Sequence, residues 1–249
     1  MPEMKTDGLI LLRTSLDDVF QGDMLTAIKR HIACGQVVII KGAVDEKKAL
    51  ALRDLVCAWR CGRDVVAFSV NTNIPGINFH RMDADPARSR LPHRFHQHGF
   101  GAPRELGSDL QDALFNVALP MLRLQNAVAG TDYSLDMPDI RIKVLQYPQG
   151  GGFLENHAHP LEPQRVGLIL GLSKAGEDYV TGGTTFLTPM GDVDTSHDHD
   201  AGDLILFRYD LEHSVTPVDE NAELDWTKPG GRWSLVLELI TTHARSEAT

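Results

Sequence analysis

No run of this sequence is apolar for long enough to span a bilayer, and the short apolar stretch near the amino terminus, Leu9 to Leu12, has neither the length nor the small-residue cleavage site of a secretory leader. No block of Lys and Arg stands out either. With 24 basic against 34 acidic residues the formal charge is -10 and the sequence pI is near 5.5, so neither nucleic acid nor an anionic membrane is an expected partner. Cysteine is scarce. Cys34, Cys57 and Cys61 are odd in number and lie in segments of helical periodicity, which argues against a disulfide frame and predicts reduced core thiols in a cytoplasmic protein. No histidine or second cysteine pair accompanies Cys57 and Cys61, so they do not read as a zinc site. Repeats of solenoid period and low-complexity tracts are absent.

What is present is a chain of 249 residues, 42% hydrophobic and 23% charged, enough to bury one sizeable core. A single domain over 1–249 is expected. From Asp17 to Cys34, Val19, Phe20, Met24, Leu25, Ile28 and Ile32 recur at helical spacing, with His31 a partly buried, hydrogen-bonded member of that face and Gly35 placed to cap the end. Gln36 to Gly42 reads as a β-branched strand, and a second helix follows with Asp45 as its N-cap. Asn71 to Pro103 has little periodicity and much Pro, Gly, Asn, His and Arg, and reads as a long loop. Another helical stretch runs from about Asp109 to Val128, where Pro120 marks either a kink or the first turn of a second helix. Beyond Pro138 short strands alternate with turns: IRIKVLQY, RVGLILGLS, GTTFLTP, GDLILFRY, HSVTPV and RWSLVLELITT. The pattern predicts a mostly β, α+β fold, with residues 1–137 a helical front and loop region and 138–249 a core of jelly-roll type.

The sequence holds eleven histidines, which pattern must sort. In YPQGGGFLENHAHP (Tyr147 to Pro160), His157 and His159 are one residue apart, and on an extended segment such residues point to one face. His213, just after the strand DLILFRY, is the candidate third ligand, carried back across a jelly roll to the same mouth. Two ligands close in sequence and one remote leave half of an octahedral metal open, as non-haem Fe(II) enzymes require for a chelating cosubstrate and O2. His243, near the charged carboxyl end, is expected to be solvated.

These stretches, followed by GGRWSLVLELI, resemble the Fe(II)/2-oxoglutarate-dependent oxygenases. The family pattern is a strand ending in Tyr-Pro-x-Gly, an H-x-D pair, a Gly-Asp-strand-His element and an Arg-x-Ser on the final strand. The likeness covers roughly residues 139–242 as ordered motifs, and the strand-helix front at 36–60 also suits the family. It implies a double-stranded β-helix core flanked by N-terminal helices, and an oxidoreductase that uses Fe(II), 2-oxoglutarate and O2 to oxidise a C–H bond with release of succinate and CO2. It further implies that His157 and His213 are metal ligands and that Arg232 pairs with the remote carboxylate of 2-oxoglutarate, with Ser234 bonding the same group. Tyr147 either contacts the cosubstrate or is a packed barrel tyrosine.

The departure is His159, which stands where the family has Asp or Glu. Imidazole is neutral, so a three-His site holds the same metal with one more net positive charge. Three readings stand for His159. It ligates in a three-His triad, as in the thiol and diketone dioxygenases of the cupin class; it points away and leaves a position open, reminiscent of family halogenases with Gly or Ala there; or Glu155 completes a two-His-one-carboxylate set in its stead. For the whole protein, the alternatives are a three-His dioxygenase whose substrate chelates iron without 2-oxoglutarate and a catalytically inactive metal-binding jelly-roll protein.

Other polar clusters have two readings each. HRFHQHGFG carries His93, His96 and His98, with His80 and Arg81 upstream; the spacing matches no common zinc finger. It reads as a polar lid over the active mouth, with Arg81 or Arg94 binding a substrate carboxylate, or as a solvated loop. The alternating His197, Asp198, His199 and Asp200 read as a site for a divalent cation or as a surface turn before the strand that begins near Asp203, and the turn is the favoured reading. The insertion VDENAELDWTKPG, with Trp226, is a second rim of the pocket or a decorated loop. The absence of a binding module suits a small polar metabolite, such as an amino acid or derivative, as substrate.

Overall fold

The apolar run near the amino terminus forms a strand, so that β1 (Glu3–Thr6) and β2 (Leu9–Arg13) make an antiparallel pair. The computed structural model describes residues 3–68, 76–84, 87 and 89–240. The chain continues through α1 (Met24–Ala33), β3 (Val37–Lys41), α2 (Glu46–Arg60), β4 (Val66–Phe68), β5 (Ile77–Ala84), β6 (His93–Phe100) and α3 (Ser108–Ala129). Then come β7 (Ile140–Tyr147), β8 (Gly152–His157), β9 (Val166–Gly171), β10 (Thr184–Thr188), β11 (Gly191–Asp194), β12 (Leu204–Arg208), β13 (Glu212–Val218) and β14 (Arg232–Leu239).

Local chemistry sets the helix ends. The Asp45 carboxylate accepts the backbone N–H of Lys48 at 3.1 Å and opens α2, and Gly35, at φ +78°, lets the chain leave α1. The helix expected from Asp17 is interrupted: Asp18–Phe20 is a 3-10 turn, and Gly22 at φ +57° separates it from α1. His31 is half-buried and its Nδ1 lies 2.7 Å from Gln36 Oε1, as expected of a hydrogen-bonded face residue. α3 runs as one helix through Pro120, which opens no second helix.

The strands β7 to β14 form a jelly roll of two layers, β12-β9-β14-β7 and β8-β13-β10-β11. β6 joins the layers, pairing with β7 over His96–Phe100 and with β8 over His93–Arg94. β3 lies antiparallel to β12, with Ile40 opposite Leu204, and β2 runs parallel to β3, so the front extends the first layer. Alternation then divides each strand. Ile142, Val144, Trp233, Leu235 and Leu237 point outward and pack with Leu52 and Val56 of α2 and Leu114, Val117 and Met121 of α3. Burying such side chains contributes about 1.5–3 kcal/mol each. The alternate residues turn inward, which leaves the barrel interior to a different set of groups.

Two expectations need correction. Asn71–Pro103 is not one long loop: it contains β5 and β6, whose residues pair from Ile77 opposite Phe100 to Ala84 opposite His93. Their inward positions include His80, His93 and Gln97, so a buried alternation exists that hydrophobicity does not report. Positions 69–75, 85, 86 and 88 lie outside the described residues. The cysteines are all free thiols, but Cys34 and Cys61 are exposed and Cys57 is half-buried, so they are not core thiols. The front contributes β1 to β6 beside its helices. His243 lies outside the described residues.

Candidate metal centre and cavity

β8 ends at His157 and β13 presents His213 directly opposite it in the antiparallel ladder. His159, two residues past His157, turns to the same point. The ligand atoms of these three residues all lie within 4.8 Å of one another. Ring centroids are 4.3 Å apart for His157 and His213, 4.8 Å for His157 and His159, and 5.3 Å for His159 and His213. A cation with bonds of ~2.1 Å needs cis nitrogens about 3 Å apart, so an inward movement of about 1 Å by the half-buried His157 and His159 rings suffices.

The backbone selects the tautomers. His157 Nδ1 lies 3.0 Å from the Glu155 carbonyl and His213 Nδ1 2.9 Å from the Leu211 carbonyl. An Nδ1–H donated to a carbonyl leaves the Nε2 lone pair for a cation. Burial, reinforced by the neighbouring His157, pushes the His213 pKa down to about 3, so the ring is held in its neutral, ligating form. His159 stacks on Tyr209 at 4.4 Å. Glu155 is exposed and only its carbonyl meets His157; its carboxylate is not part of the cluster. The donor set is three imidazoles, which suits iron, zinc, copper or nickel.

These histidines line a cavity inside the barrel. Arg232 and Ser234 on β14 and Tyr147 on β7 line it as well, Arg232 standing opposite Tyr147 in register. The Arg232 guanidinium lies 5.8 Å from the centre of the Tyr147 ring. Its Nη2 donates to Thr184 Oγ1 at 2.7 Å and lies 3.4 Å from His199 Nδ1. Its Nη1 is buried with no well-aligned acceptor; the nearby Tyr179 hydroxyl is pushed up by burial, an effect that the charge of Arg232 and a contact with its guanidinium partly offset. A buried charged donor without an acceptor is costly. A carboxylate entering the cavity would satisfy it. Tyr147 is itself buried, which pushes its hydroxyl far up and keeps it protonated as a donor.

Of the sequence-nominated clusters, the structure brings some to this cavity and sends others away. His93 lines it, but His96 and His98 alternate to the outer face of β6, where Trp226 sits 4.8 Å from His96. Arg81 stacks on Trp226 and Arg94 pairs with Asp83, so neither arginine is among the described residues that line the cavity. The insertion bearing Trp226 therefore packs over the outside of the barrel. The segment around His199 is a turn with His197 exposed, but His199 itself points inward and is 5% exposed. Its Nε2 lies 3.0 Å from the Asp203 carbonyl, and burial together with Arg232 pushes its pKa down to about 3. The turn is drawn inward because the Asp203 carboxylate accepts the backbone N–H groups of Gly42 and Asp200 and pairs with Lys41. Sequence reasoning also passed over Lys143 and Glu238, both on the cavity wall. Their signal was parity: each stands at an inward position of an apolar strand, in step with Tyr147 and Arg232.

No family model matches this chain, and no curated protein matches it in sequence. Solved structures do match. A Pseudomonas putida prolyl-4-hydroxylase has a TM-score of 0.58 at 18% identity, over 87% of this chain and 98% of that one. The epimerase SnoN in complex with Fe3+, α-ketoglutarate and nogalamycin RO has a TM-score of 0.54 at 14% identity, over 86% and 82%. A dioxygenase for auxin oxidation from Arabidopsis thaliana, in binary complex with 2-oxoglutarate, has a TM-score of 0.52 at 11% identity, over 92% of each chain. Likeness at these identities establishes the fold: the double-stranded β-helix is the architecture present.

Proposed function

We propose that this protein is a non-haem Fe(II)- and 2-oxoglutarate-dependent oxygenase with a three-histidine metal centre, acting on a small polar metabolite with O2 as co-reactant. The observation that carries the reading is the pairing of two features in one cavity: the convergence of His157, His159 and His213, and a buried Arg232 whose Nη1 has no well-aligned acceptor. In this reading the three imidazoles hold Fe(II), and the metal supplies the site at which O2 and the cosubstrate meet. Arg232 receives the remote carboxylate of 2-oxoglutarate, while Thr184 and His199 fix the guanidinium and Ser234 and the Tyr147 hydroxyl offer further donors. Phe207, Tyr209 and Leu154 wall the metal side and exclude water. That SnoN is solved with Fe3+ and α-ketoglutarate, and the auxin dioxygenase with 2-oxoglutarate, supports the cofactor pair. The three free thiols suit a reducing, cytoplasmic setting.

A metal site without a carboxylate equally suits a dioxygenase whose substrate chelates iron directly, and Arg232 separates the two readings. Anaerobic titration of the Fe(II)-loaded protein with 2-oxoglutarate should produce a saturable visible charge-transfer band. Arg232→Ala should weaken that titration by about 100-fold or more while iron content stays at the wild-type level. Bound iron with no band would sink the 2-oxoglutarate reading and leave the substrate-chelating one.

A further inference from the structure

One charged pair on the cavity wall is used neither by the metal nor by the carboxylate clamp. Lys143 on β7 and Glu238 on β14 form a hydrogen-bonded ion pair, with side chains only 5% and 16% exposed. Both line the cavity, among Leu145 and Val236. Lys143 lies four residues before Tyr147 and Glu238 six after Arg232, so the pair is displaced by about 13 Å or more along the strands from the clamp. A five-carbon diacid spans at most about 6 Å between its carboxyl carbons, four bonds of ~1.5 Å. Clamp and pair thus hang from backbone positions further apart than one cosubstrate molecule is long.

A buried ion pair is weak as a source of stability, because desolvation offsets its attraction and apolar groups of the same volume serve as well. Its placement is nonetheless rigid. The side-chain amide of Gln164 donates to the Leu237 carbonyl and accepts from the Leu239 N–H, both at 3.0 Å, so a single buried residue pins the backbone on each side of Glu238. Such backing is what a recognition element needs.

We propose that Lys143 and Glu238 together recognise a zwitterion that carries ammonium and carboxylate groups on neighbouring atoms, as an α-amino acid does. The ligand carboxylate accepts from Lys143 Nζ and the ligand ammonium donates to a Glu238 oxygen, closing a ring of alternating charges. An ammonium has three donors and a carboxylate about four acceptor sites, so each partner can take a ligand group without releasing the other. A simple acid would compete with Glu238 for Lys143 and leave one carboxylate uncompensated in a buried wall; a simple amine would do the converse. Only a ligand with both charges keeps the ring neutral. The inference rests on the proposed oxygenase activity solely for the statement that the bound zwitterion is the compound oxidised.

The test is calorimetric titration of the anaerobic Fe(II)- and 2-oxoglutarate-loaded protein with the twenty standard L-amino acids, each beside its des-amino acid and its decarboxylated amine. At least one amino acid should bind at least tenfold more tightly than both of its analogues. The variant Lys143→Met/Glu238→Leu, which removes both charges at similar volume, should lose at least tenfold of that affinity and keep the wild-type 2-oxoglutarate band. If the double variant does not fold, Glu238→Gln serves instead, and it should bring the amino acid and its des-amino acid within twofold of each other. Equal binding of an analogue by the wild type, retained affinity in the double variant, or no binder in protein that shows the 2-oxoglutarate band would each overturn the inference. Absence of that band from the wild type would instead count against the oxygenase reading, and the same calorimetry without 2-oxoglutarate would still decide the zwitterion site.

Discussion

Two sets of histidines occupy the walls of the same barrel and have opposite characters. His157, His159 and His213 come from two strand ends, two of them tied at Nδ1 to backbone carbonyls, with all three meeting at one point of a cavity. His93, His96 and His98 come from one strand and are dispersed by its alternation, the first inward and the other two outward. His98 is wholly buried, stacked on Phe79 at 4.7 Å and on Trp233 at 5.5 Å, with Nδ1 2.9 Å from the Val144 carbonyl. Its surroundings are those of a core aromatic. Spacing of i and i+2 occurs in both sets, so spacing alone does not make a metal site. What distinguishes the first is a third imidazole delivered by a remote strand.

The contrast can be broken at its strongest point first. His213→Ala should lower Fe(II) or Zn(II) affinity by more than about 100-fold, measured by competition with a chelating dye, with little change in thermal stability. His159→Ala should lower it by a smaller factor, about 10-fold or more, and unchanged affinity would remove His159 from the triad. His98→Ala should do the reverse: a loss of about 3 kcal/mol in denaturant unfolding, as for other buried aromatics, at wild-type metal affinity.

A pH experiment sharpens the same comparison. Burial pushes His96 down to about 4, His199 and His213 down to about 3, and His98 well below its ordinary value. The folded protein thus holds them neutral, while the unfolded chain protonates near pH 6.5. Their contribution is whole above that pH and is lost as the pH falls through 6.5 toward 4, by up to ~1.4 kcal/mol per pH unit for each histidine. Melting temperatures of metal-free protein between pH 7.5 and 5 should fall accordingly. Bound metal should blunt the fall, since it competes with the proton at His213 but not at His96, His98 or His199. A flat profile in the metal-free protein would mean that these rings are solvated.

Much of the carboxyl-terminal half was legible, because IRIKVLQY, RVGLILGLS, GDLILFRY and RWSLVLELITT are apolar runs bounded by turns and became β7, β9, β12 and β14. His157, His159 and His213 were legible through their order and spacing, and the structure brings them together. β5 and β6 were not, because the residues that alternate there are His, Gln and Arg, whose burial depends on partners such as Gln146 and Trp226 from distant strands. His199 was misread for a related reason. Its polar neighbours suggest solvent, but the Asp203 carboxylate satisfies backbone groups on both sides and pulls the turn inward. Lys143 and Glu238 show the opposite error, a strand parity that sequence reading counted as packing.

The placement of β14 between β7 and β9 has a consequence for how the chain acquires its structure. Residues 232–239 are synthesised after both strands they pair with, yet they form a central strand of the first layer, and the Gly42 amide that closes the front waits for a carboxylate 161 residues later. Few long-range pairings can therefore be completed on a growing chain, and topology of this kind folds on the millisecond to second scale rather than in microseconds. Until β14 arrives, the edges of β7 and β9 stand open and their apolar outer faces are only partly covered, a state in which such strands associate with each other between molecules. Expression at low temperature or with chaperones should then raise the yield of folded protein more than any substitution in the cavity.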